Sequence, residues 1–448
     1  MKKKDTLLVG LMLFSMFFGA GNLIFPPFLG SQAGSAFWPA ILGFVLTGVG
    51  LPVLVLVAIA LSKNGVRSLG NYVHPKFGFL FTIIVYLSIG PFFGIPRNAN
   101  VAFEMGLKPF LGNVTSNQSL LLFIFTILFF AFVYFLSMNP TKVTEYMGKF
   151  LTPTLLIAII TLCVIAFIQL DQPLQAPVDS YETAPFIKGF IDGYSTMDAL
   201  AALAFGIVVV NALQQKGIID QKQQVTYTLK TGLVAGTALA LVYVALGWLG
   251  AKMANEGTFE NGTALLSTAS DQLLGQGGIV LLGVIFTLAC FTTCVGLTIA
   301  CGHYFNKLFP KLSYKLVVTL VTVVSFLVAN LGLNQIIAVS IPFLVMAYPL
   351  TIVLVGLAFF HPYFNGSQKV YVLTMLFTGV FAIYDGVKMF GLESSSFNNL
   401  VQMLPLSTYG LAWVVPALIG AVLGVIWHRI TNKKSVVNHY KNSTQKVS

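Results

Sequence analysis

The sequence predicts an all-α polytopic membrane protein of twelve transmembrane helices, in which the first and the sixth helix are broken. Three observations carry this prediction. Of 448 residues, 56% are hydrophobic and 9% charged, too little polar surface to cover a soluble chain of that length. Apolar runs of about twenty residues, the length that crosses ~30 Å of hydrocarbon as a helix, recur from end to end. Two of those runs, five apart, carry glycine, proline or polar residues at their centres.

The runs fall near 6–30, 36–62, 77–103, 119–138, 148–170, 186–212, 231–252, 277–305, 315–332, 335–358, 369–390 and 407–428. An even count puts both termini on one side. Nearly all the basic residues then share that side, among them Lys2, Lys3, Lys4, Lys63, Arg67, Lys142, Lys149, Lys216, Lys307 and Lys369. The opposite loops hold only Lys108, Lys188, Lys252 and Lys388, so the excess of positive charge places both termini in the cytoplasm. Most acids, including Glu104, Asp171, Glu182 and Glu256, fall in the outer loops. From Arg429 onward the chain is rich in Lys, Asn and Ser and reads as a solvated, disordered tail.

Span one contains Phe17 to Gly30, FFGAGNLIFPPFLG, where Gly19, Gly21, Pro26 and Pro27 interrupt the apolar run. Backbone groups freed by a break at membrane depth must be taken up by protein, by a water-filled cavity or by a ligand. A packing kink is one reading and a ligand site the other; Pro26 and Pro27 read as the restart of the outer half-helix. Span six, Phe186 to Asn211, is polar at its centre, Gly193-Tyr194-Ser195-Thr196-Met197-Asp198. An Asp at the centre of a membrane helix costs roughly 2.5 to 3.5 kcal/mol and usually faces a pathway or a partner. An odd number of spans between the two breaks means that a repeated unit is inserted the opposite way round. Inverted repeats with broken first helices hold ligands at mid-membrane in secondary transporters. Half-helix N-termini suit a carboxylate and unwound carbonyls an ammonium or small cation, so a zwitterionic amino acid meets both demands.

Span three carries Gly90-Pro91-Phe92-Phe93-Gly94-Ile95-Pro96-Arg97. Phe92 and Phe93 are aromatic bulk beside a helix break, either core packing or pocket wall. Arg97 is expected to pair, with Asp192 as first partner and Asp198 as second, forming an outer gate. Span five has no Lys or Arg from Phe150 to Leu170 to stand in for a bound cation. Span eight holds Ala289-Cys290-Phe291-Thr292-Thr293, whose two hydroxyls either bond back to a carbonyl one turn earlier or ligate sodium.

Other classes find little support. The net charge of +11 is scattered between apolar runs rather than clustered with aromatics, which argues against nucleic acid. Cys163, Cys290, Cys294 and Cys301 all sit in apolar runs, giving neither a disulfide framework nor a zinc spacing. All five histidines, His74, His303, His361, His428 and His439, lie at cytoplasmic ends or in the tail, so none serves as a mid-membrane base or ligand. Lys2 to Lys4 followed by an apolar core imitates a signal peptide, but the run continues ten residues past Ala20. No Cys-His, Ser-His or metal cluster suggests an embedded enzyme, and no pore ring suggests a channel.

Together FFGAGNLIFPPFLG, GPFFGIPRNANVAFE (90–104) and GFIDGYSTMDALAALAFG (189–206) closely resemble the bacterial branched-chain amino acid:cation symporters, the LIVCS family, over essentially the full length. The resemblance implies uptake of leucine, isoleucine and valine coupled to sodium or protons, in a bacterial cell membrane. It also implies a LeuT-like, APC-superfamily core of five plus five helices with two further helices: a first repeat over 1–170, a second over 171–360, two helices in 361–428 and a basic tail over 429–448. By similarity, the amides near Ala20 and Gly21, with Asn22 in the Gly19-Ala20-Gly21-Asn22 motif, hold the substrate carboxylate. The carbonyls of Phe17, Tyr194, Ser195 and Thr196 take its ammonium, and Phe92 and Phe93 form the side-chain pocket. The carbonyls of Ser15 and Phe18 with Ala289, Thr292 and Thr293 match a sodium site common among such carriers. A second sodium site would need Asn22 and Thr196 and lacks a secure third side chain. Asp198 is not general among these carriers, so protonation, cation binding and ion pairing stay open, and proton symport through Asp198 is the alternative to sodium symport. No cofactor, protein partner or catalytic residue is expected; the partners are the small substrate, the co-transported cation and the bilayer.

Overall fold

The computed structural model describes residues 3–62, 65–111, 117–139 and 152–444, with side chains described as far as Thr431. Lys2, Lys63, Lys142 and Lys149, and the side chain of His439, lie outside the described residues. Every regular element among the described residues is helical. In chain order these are α1 (Lys3–Phe17), α2 (Ala20–Ala33), α3 (Phe37–Val45), α4 (Leu51–Leu61), α5 (Val66–Asn71), α6 (Pro75–Leu87) and α7 (Gly94–Gly106), then α8 (Gln118–Ser137), α9 (Thr152–Gln169), α10 (Ser180–Thr183), α11 (Pro185–Asp192) and α12 (Asp198–Gln215). The chain continues through α13 (Gln221–Met253), α14 (Gly262–Leu274), α15 (Gln276–Leu308), α16 (Tyr314–Ala329), α17 (Leu333–Phe360), α18 (Gln368–Met389), α19 (Ser395–Gln402) and α20 (Val414–Thr444).

Ten helical stretches among the described residues are long and apolar enough to cross a bilayer. The expected first span is divided between α1 and the start of a continuous 42-residue helical run, Ala20–Leu61, that also contains the expected second span. The expected ninth is the 16-residue α16, about 24 Å long and so shorter than the hydrocarbon thickness. Three boundaries differ from the expected ones. α13 begins ten residues before the apolar run because Asp220 caps it, accepting from the Gln223 amide at 3.0 Å, and a polar first part is helical without being apolar. The expected twelfth span begins late, since Ser407–Tyr409 is a 3₁₀ turn; and helix α20 runs on to Thr444 where a disordered tail was expected from Arg429.

The chain divides into two compact units, Met1–Leu61 with Ile84–Ile341 and Ser62–Ile83 with Pro342–Ser448. In the first, α2 packs along α13 so closely that a Cβ on Gly250 would lie 1.9 Å from the Pro27 carbonyl oxygen. Small residues allow such approach where apolar surface gains nothing by leaving lipid. Pro26 and Pro27 therefore do not restart a half-helix: α2 begins at Ala20, and the two prolines sit inside it, against α13. An extended stretch after α9 folds back on the end of α2, where the Gln175 carbonyl accepts from the Ser35 amide at 2.8 Å and the Gln32 carbonyl accepts from the Val178 amide at 3.0 Å. In the second unit α18 packs on α20, and Tyr72, His361, Phe364 and Tyr371 form an aromatic cluster in which His361 Nδ1 shares a 2.9 Å hydrogen bond with the Tyr371 hydroxyl.

Gly250→Ala is expected to lower stability by about 1–3 kcal/mol through overpacking, read as a lower melting temperature in detergent. Gly356→Ala, where a Cβ meets nothing within 4 Å, is the control and is expected to melt no lower than the parent.

Candidate functional site

The first break is two residues long. α1 ends at Phe17 and α2 begins at Ala20, with Phe18 and an extended Gly19 between them. Side chains satisfy the amides at the new N-terminus: the Gly19 amide donates to Asn22 Oδ1 at 3.0 Å, and the Ala20 amide to Asn98 Oδ1 at 2.8 Å. Gly19 is required by space, since a Cβ there would lie 2.5 Å from Asn98 Oδ1 and 2.9 Å from Thr293 Oγ1. The second break runs from the end of α11 through the 3₁₀ turn Gly193–Thr196 to Met197, which adopts the left-handed conformation (φ 68°) before α12 starts at Asp198. A non-glycine residue held there costs of order 1–3 kcal/mol and persists only where its surroundings over-determine it.

Asp198 joins the two breaks. Its Oδ2 accepts from Asn22 Nδ2 at 2.6 Å and from the Tyr243 hydroxyl of α13 at 2.8 Å, and Asn22 Nδ2 also reaches the Tyr243 oxygen. Asp198 is 2% exposed and Asn22 1%. The same Asn22 amide group thus caps Gly19 with its oxygen and holds Asp198 with its nitrogen, so the carboxylate links α2, α12 and α13. Tyr243 and Asn98 escaped sequence reasoning. The only trace of Asn98 is its place beside Arg97 in a polar run, and a tyrosine within an apolar span gives no signal of its own.

On the other side of the first break, α15 brings its hydroxyl pair against the last carbonyls of span one. Thr292 Oγ1 donates to the Ser15 carbonyl at 3.1 Å and to the Ala289 carbonyl at 3.0 Å; Thr293 Oγ1 donates to the Phe18 carbonyl at 3.0 Å. Both readings of the pair are therefore present in one geometry: Thr292 bonds back within its helix and also reaches across to α1. Ser15, Phe18, Ala289, Thr292 and Thr293 are all buried.

Between these clusters lies a small cavity, with about 20 Å³ open to the centre of a water-sized sphere, room for about one water. Arg97, Asn98, Asn22, Thr196, Asp198 and Thr293 supply its polar lining; Met16, Phe17, Ile89, Met197, Ala201 and Leu297 supply the apolar part, with Gly19, Ala20, Gly21 and Gly94 as backbone. Phe92 and Phe93 do not line it. Phe92 is 43% exposed, because the π-helical turn Ser88–Phe92 and the non-helical Gly90 turn Ile89 toward the cavity instead. Tyr194 and Ser195 side chains are likewise absent from the lining, while the Tyr194 carbonyl accepts from the Met197 amide at 3.0 Å.

Arg97 does not pair with Asp192. Asp192 is one turn from Lys188 on α11 and takes the Lys188 ammonium and the Tyr181 hydroxyl. Burial, and then the Asp192 charge, raise the Tyr181 hydroxyl well above its ordinary pKa, so it remains a donor. Asp198, the second expected partner, has its Oδ2 held by Asn22 and Tyr243 and feels the Arg97 charge. The 3%-exposed guanidinium donates to the carbonyls of Ser195 at 3.0 Å and Thr196 at 3.3 Å.

Two broken membrane helices meeting around a small pocket, with hard oxygens at one break, fit a membrane carrier. Its fold is LeuT-like: Mhp1, a nucleobase-cation-symport-1 family transporter in a closed conformation with bromovinylhydantoin bound, aligns at a TM-score of 0.63 with 13% identity, over 96% of this chain and 93% of Mhp1. The inward-facing conformation of Mhp1 aligns at 0.58 with 14% identity, over 95% and 91%. The chain belongs to the branched-chain amino acid transport protein family, whose model matches residues 2–431. It is similar to the branched-chain amino acid permeases of Bacillus subtilis (strain 168), BraB at 45% identity over 425 residues (94% of this chain, 95% of BraB) and BrnQ at 46% over 432 residues (96% and 98%). It is also similar to the branched-chain amino acid transport system 2 carrier protein of Pseudomonas aeruginosa, at 41% over 438 residues (97% and 98%). The family is one of transport proteins, not enzymes.

Asn22→Ala removes the cap of Gly19 and a donor to a buried carboxylate, and is expected to cost about 1–3 kcal/mol of stability. The check is a lowered denaturation midpoint in detergent; an unchanged midpoint would contradict the hub described for Asp198.

Proposed function

We propose that the protein is a secondary carrier that imports leucine, isoleucine and valine together with sodium by alternating access. The supporting observation is the convergence of five buried oxygens, the carbonyls of Ser15, Phe18 and Ala289 and the hydroxyls of Thr292 and Thr293, on the first break beside the pocket. Hard, uncharged oxygens from two helices suit a small hard cation. Sodium seated there would tie α1 to α15 through the carbonyls that the hydroxyls now occupy. The apolar lining from Met16, Ile89, Met197, Ala201 and Leu297 matches a branched aliphatic side chain in chemistry, and seating one requires the pocket, now with room for about one water, to open. We further propose that both termini are cytoplasmic, in the membrane of a bacterial cell, from the basic asymmetry of the loops.

The alternative is proton symport through Asp198, favoured by the burial of that carboxylate within the same pocket. Leucine counterflow in proteoliposomes, with sodium and pH varied independently, separates the two. Sodium symport predicts uptake that follows the sodium gradient at constant pH. It also predicts that Thr292→Val with Thr293→Val raises the half-saturating sodium concentration at least tenfold; unchanged sodium dependence would sink the site. Uptake indifferent to sodium, driven by a pH gradient and lost in Asp198→Asn, would select the alternative.

A further inference from the structure

The carbonyls of Ser195 and Thr196 belong to the 3₁₀ turn at the second break, with Thr196 lining the pocket; they are the chemistry expected to receive a substrate ammonium, and they are engaged by the protein's own cation. Arg97 Nη1 and Nη2 donate to them at 3.0 and 3.3 Å. The guanidinium also lies against the N-terminus of α2: a Cβ on Gly21 would be 2.8 Å from Arg97 Nη2 and 3.0 Å from the Thr196 Cα. One planar group therefore bridges the two places where the ends of an amino acid would sit. A carbonyl oxygen has two lone pairs, but a guanidinium and an ammonium on the same pair of carbonyls repel one another, and the cavity has room for about one water.

Resting on the amino-acid transport reading above, we propose that Arg97 is the receptor for the substrate's carboxylate, and that its guanidinium holds the Ser195 and Thr196 carbonyls until a substrate ammonium displaces it. Binding is an exchange of partners. The ammonium takes the carbonyls, and the guanidinium turns to the carboxylate, whose two oxygens match its parallel N–H groups. Asn22 and Tyr243 hold Asp198 through Oδ2, and the guanidinium, though attracted to that carboxylate, donates to the Ser195 and Thr196 carbonyls. With one guanidinium and one carboxylate lining the pocket, a zwitterion enters without altering the sum of charge, whereas an amine or an acid alone leaves one partner of the exchange unmatched. The Ala20 amide is bonded to Asn98, which leaves the guanidinium as the strongest anion receptor at this break.

The test is competition against labelled leucine in proteoliposomes of the full chain. Leucine, 3-methylbutylamine (side chain and ammonium) and leucinamide (carboxylate replaced by a neutral amide) are compared in the parent, Arg97→Lys and Arg97→Gln. In the parent, leucinamide is expected to compete at least 50-fold more weakly than leucine; comparable competition overturns the proposal whatever the variants do. In Arg97→Gln, leucine affinity is expected to fall at least 30-fold while 3-methylbutylamine becomes a competitor of comparable strength, because the carbonyls no longer carry a fixed cation. A variant that keeps the parental preference for leucine over the amine overturns it. If Arg97→Gln fails to fold, Arg97→Lys reads the same point: its single ammonium cannot engage both carboxylate oxygens in parallel, and the leucine KM is expected to rise at least tenfold, a KM within twofold of the parent being contrary. Absence of leucine counterflow in the parent contradicts the transport reading itself; parental counterflow with an unshifted Arg97 profile contradicts only the carboxylate assignment.

Discussion

A backbone group freed at mid-membrane has no water to turn to, and each such group left unmatched costs several kcal/mol. The rest of the site follows from how this chain meets that constraint. At the first break the Gly19 and Ala20 amides are met by Asn22 and Asn98, and the Ser15 and Phe18 carbonyls by Thr292 and Thr293. At the second, the Ser195 and Thr196 carbonyls are met by Arg97. All but Asn22, which caps its own helix, are side chains from another helix, so satisfying the breaks also draws α7 and α15 around them. The pocket is what remains between these solutions.

The same logic explains why the polar groups are linked rather than scattered. Asp198 would be costly alone in hydrocarbon, but it opens α12, where the helix dipole favours a negative charge, and it receives donors from α2 and α13. Through Asn22 the carboxylate bears directly on the cap of Gly19. A movement that reopened either break would have to rearrange this hub. That gives a physical route by which events at the Thr293 hydroxyl, on the Phe18 carbonyl, and at the Arg97 guanidinium, on the Thr196 carbonyl, are felt together, since both act on residues close in sequence to the hub.

Legibility in the sequence followed the range of the interaction. The two breaks were readable because glycine, proline and polar residues interrupt apolar runs locally, and the juxtaposition of Ser15, Phe18, Ala289, Thr292 and Thr293 was implied by the family resemblance. Chain-distant pairings were not readable. Asp192 looked as good a partner for Arg97 as any carboxylate, yet Lys188 lies one helical turn away from it and Tyr181 close in sequence, so a local pair takes it. Phe92 and Phe93 looked like pocket wall because they flank a break, but the turn at Gly90 sends them away and presents Ile89. Tyr243 is one more aromatic residue in an apolar span until α13 is laid against α2. Pro26 and Pro27 were read as a helix start from their type alone, whereas the start is set six residues earlier by the caps on Gly19 and Ala20.

The central claim is that substrate and cation are held by one set of joined breaks, so their binding must be thermodynamically coupled. Coupling of that kind is reciprocal: the factor by which one ligand tightens the other is the same in both directions. The direct measurement is equilibrium binding to the purified full-length chain, titrating leucine at low and saturating sodium and sodium at low and saturating leucine. The account predicts equal factors in the two titrations, of about fivefold or more; leucine affinity indifferent to sodium would contradict it.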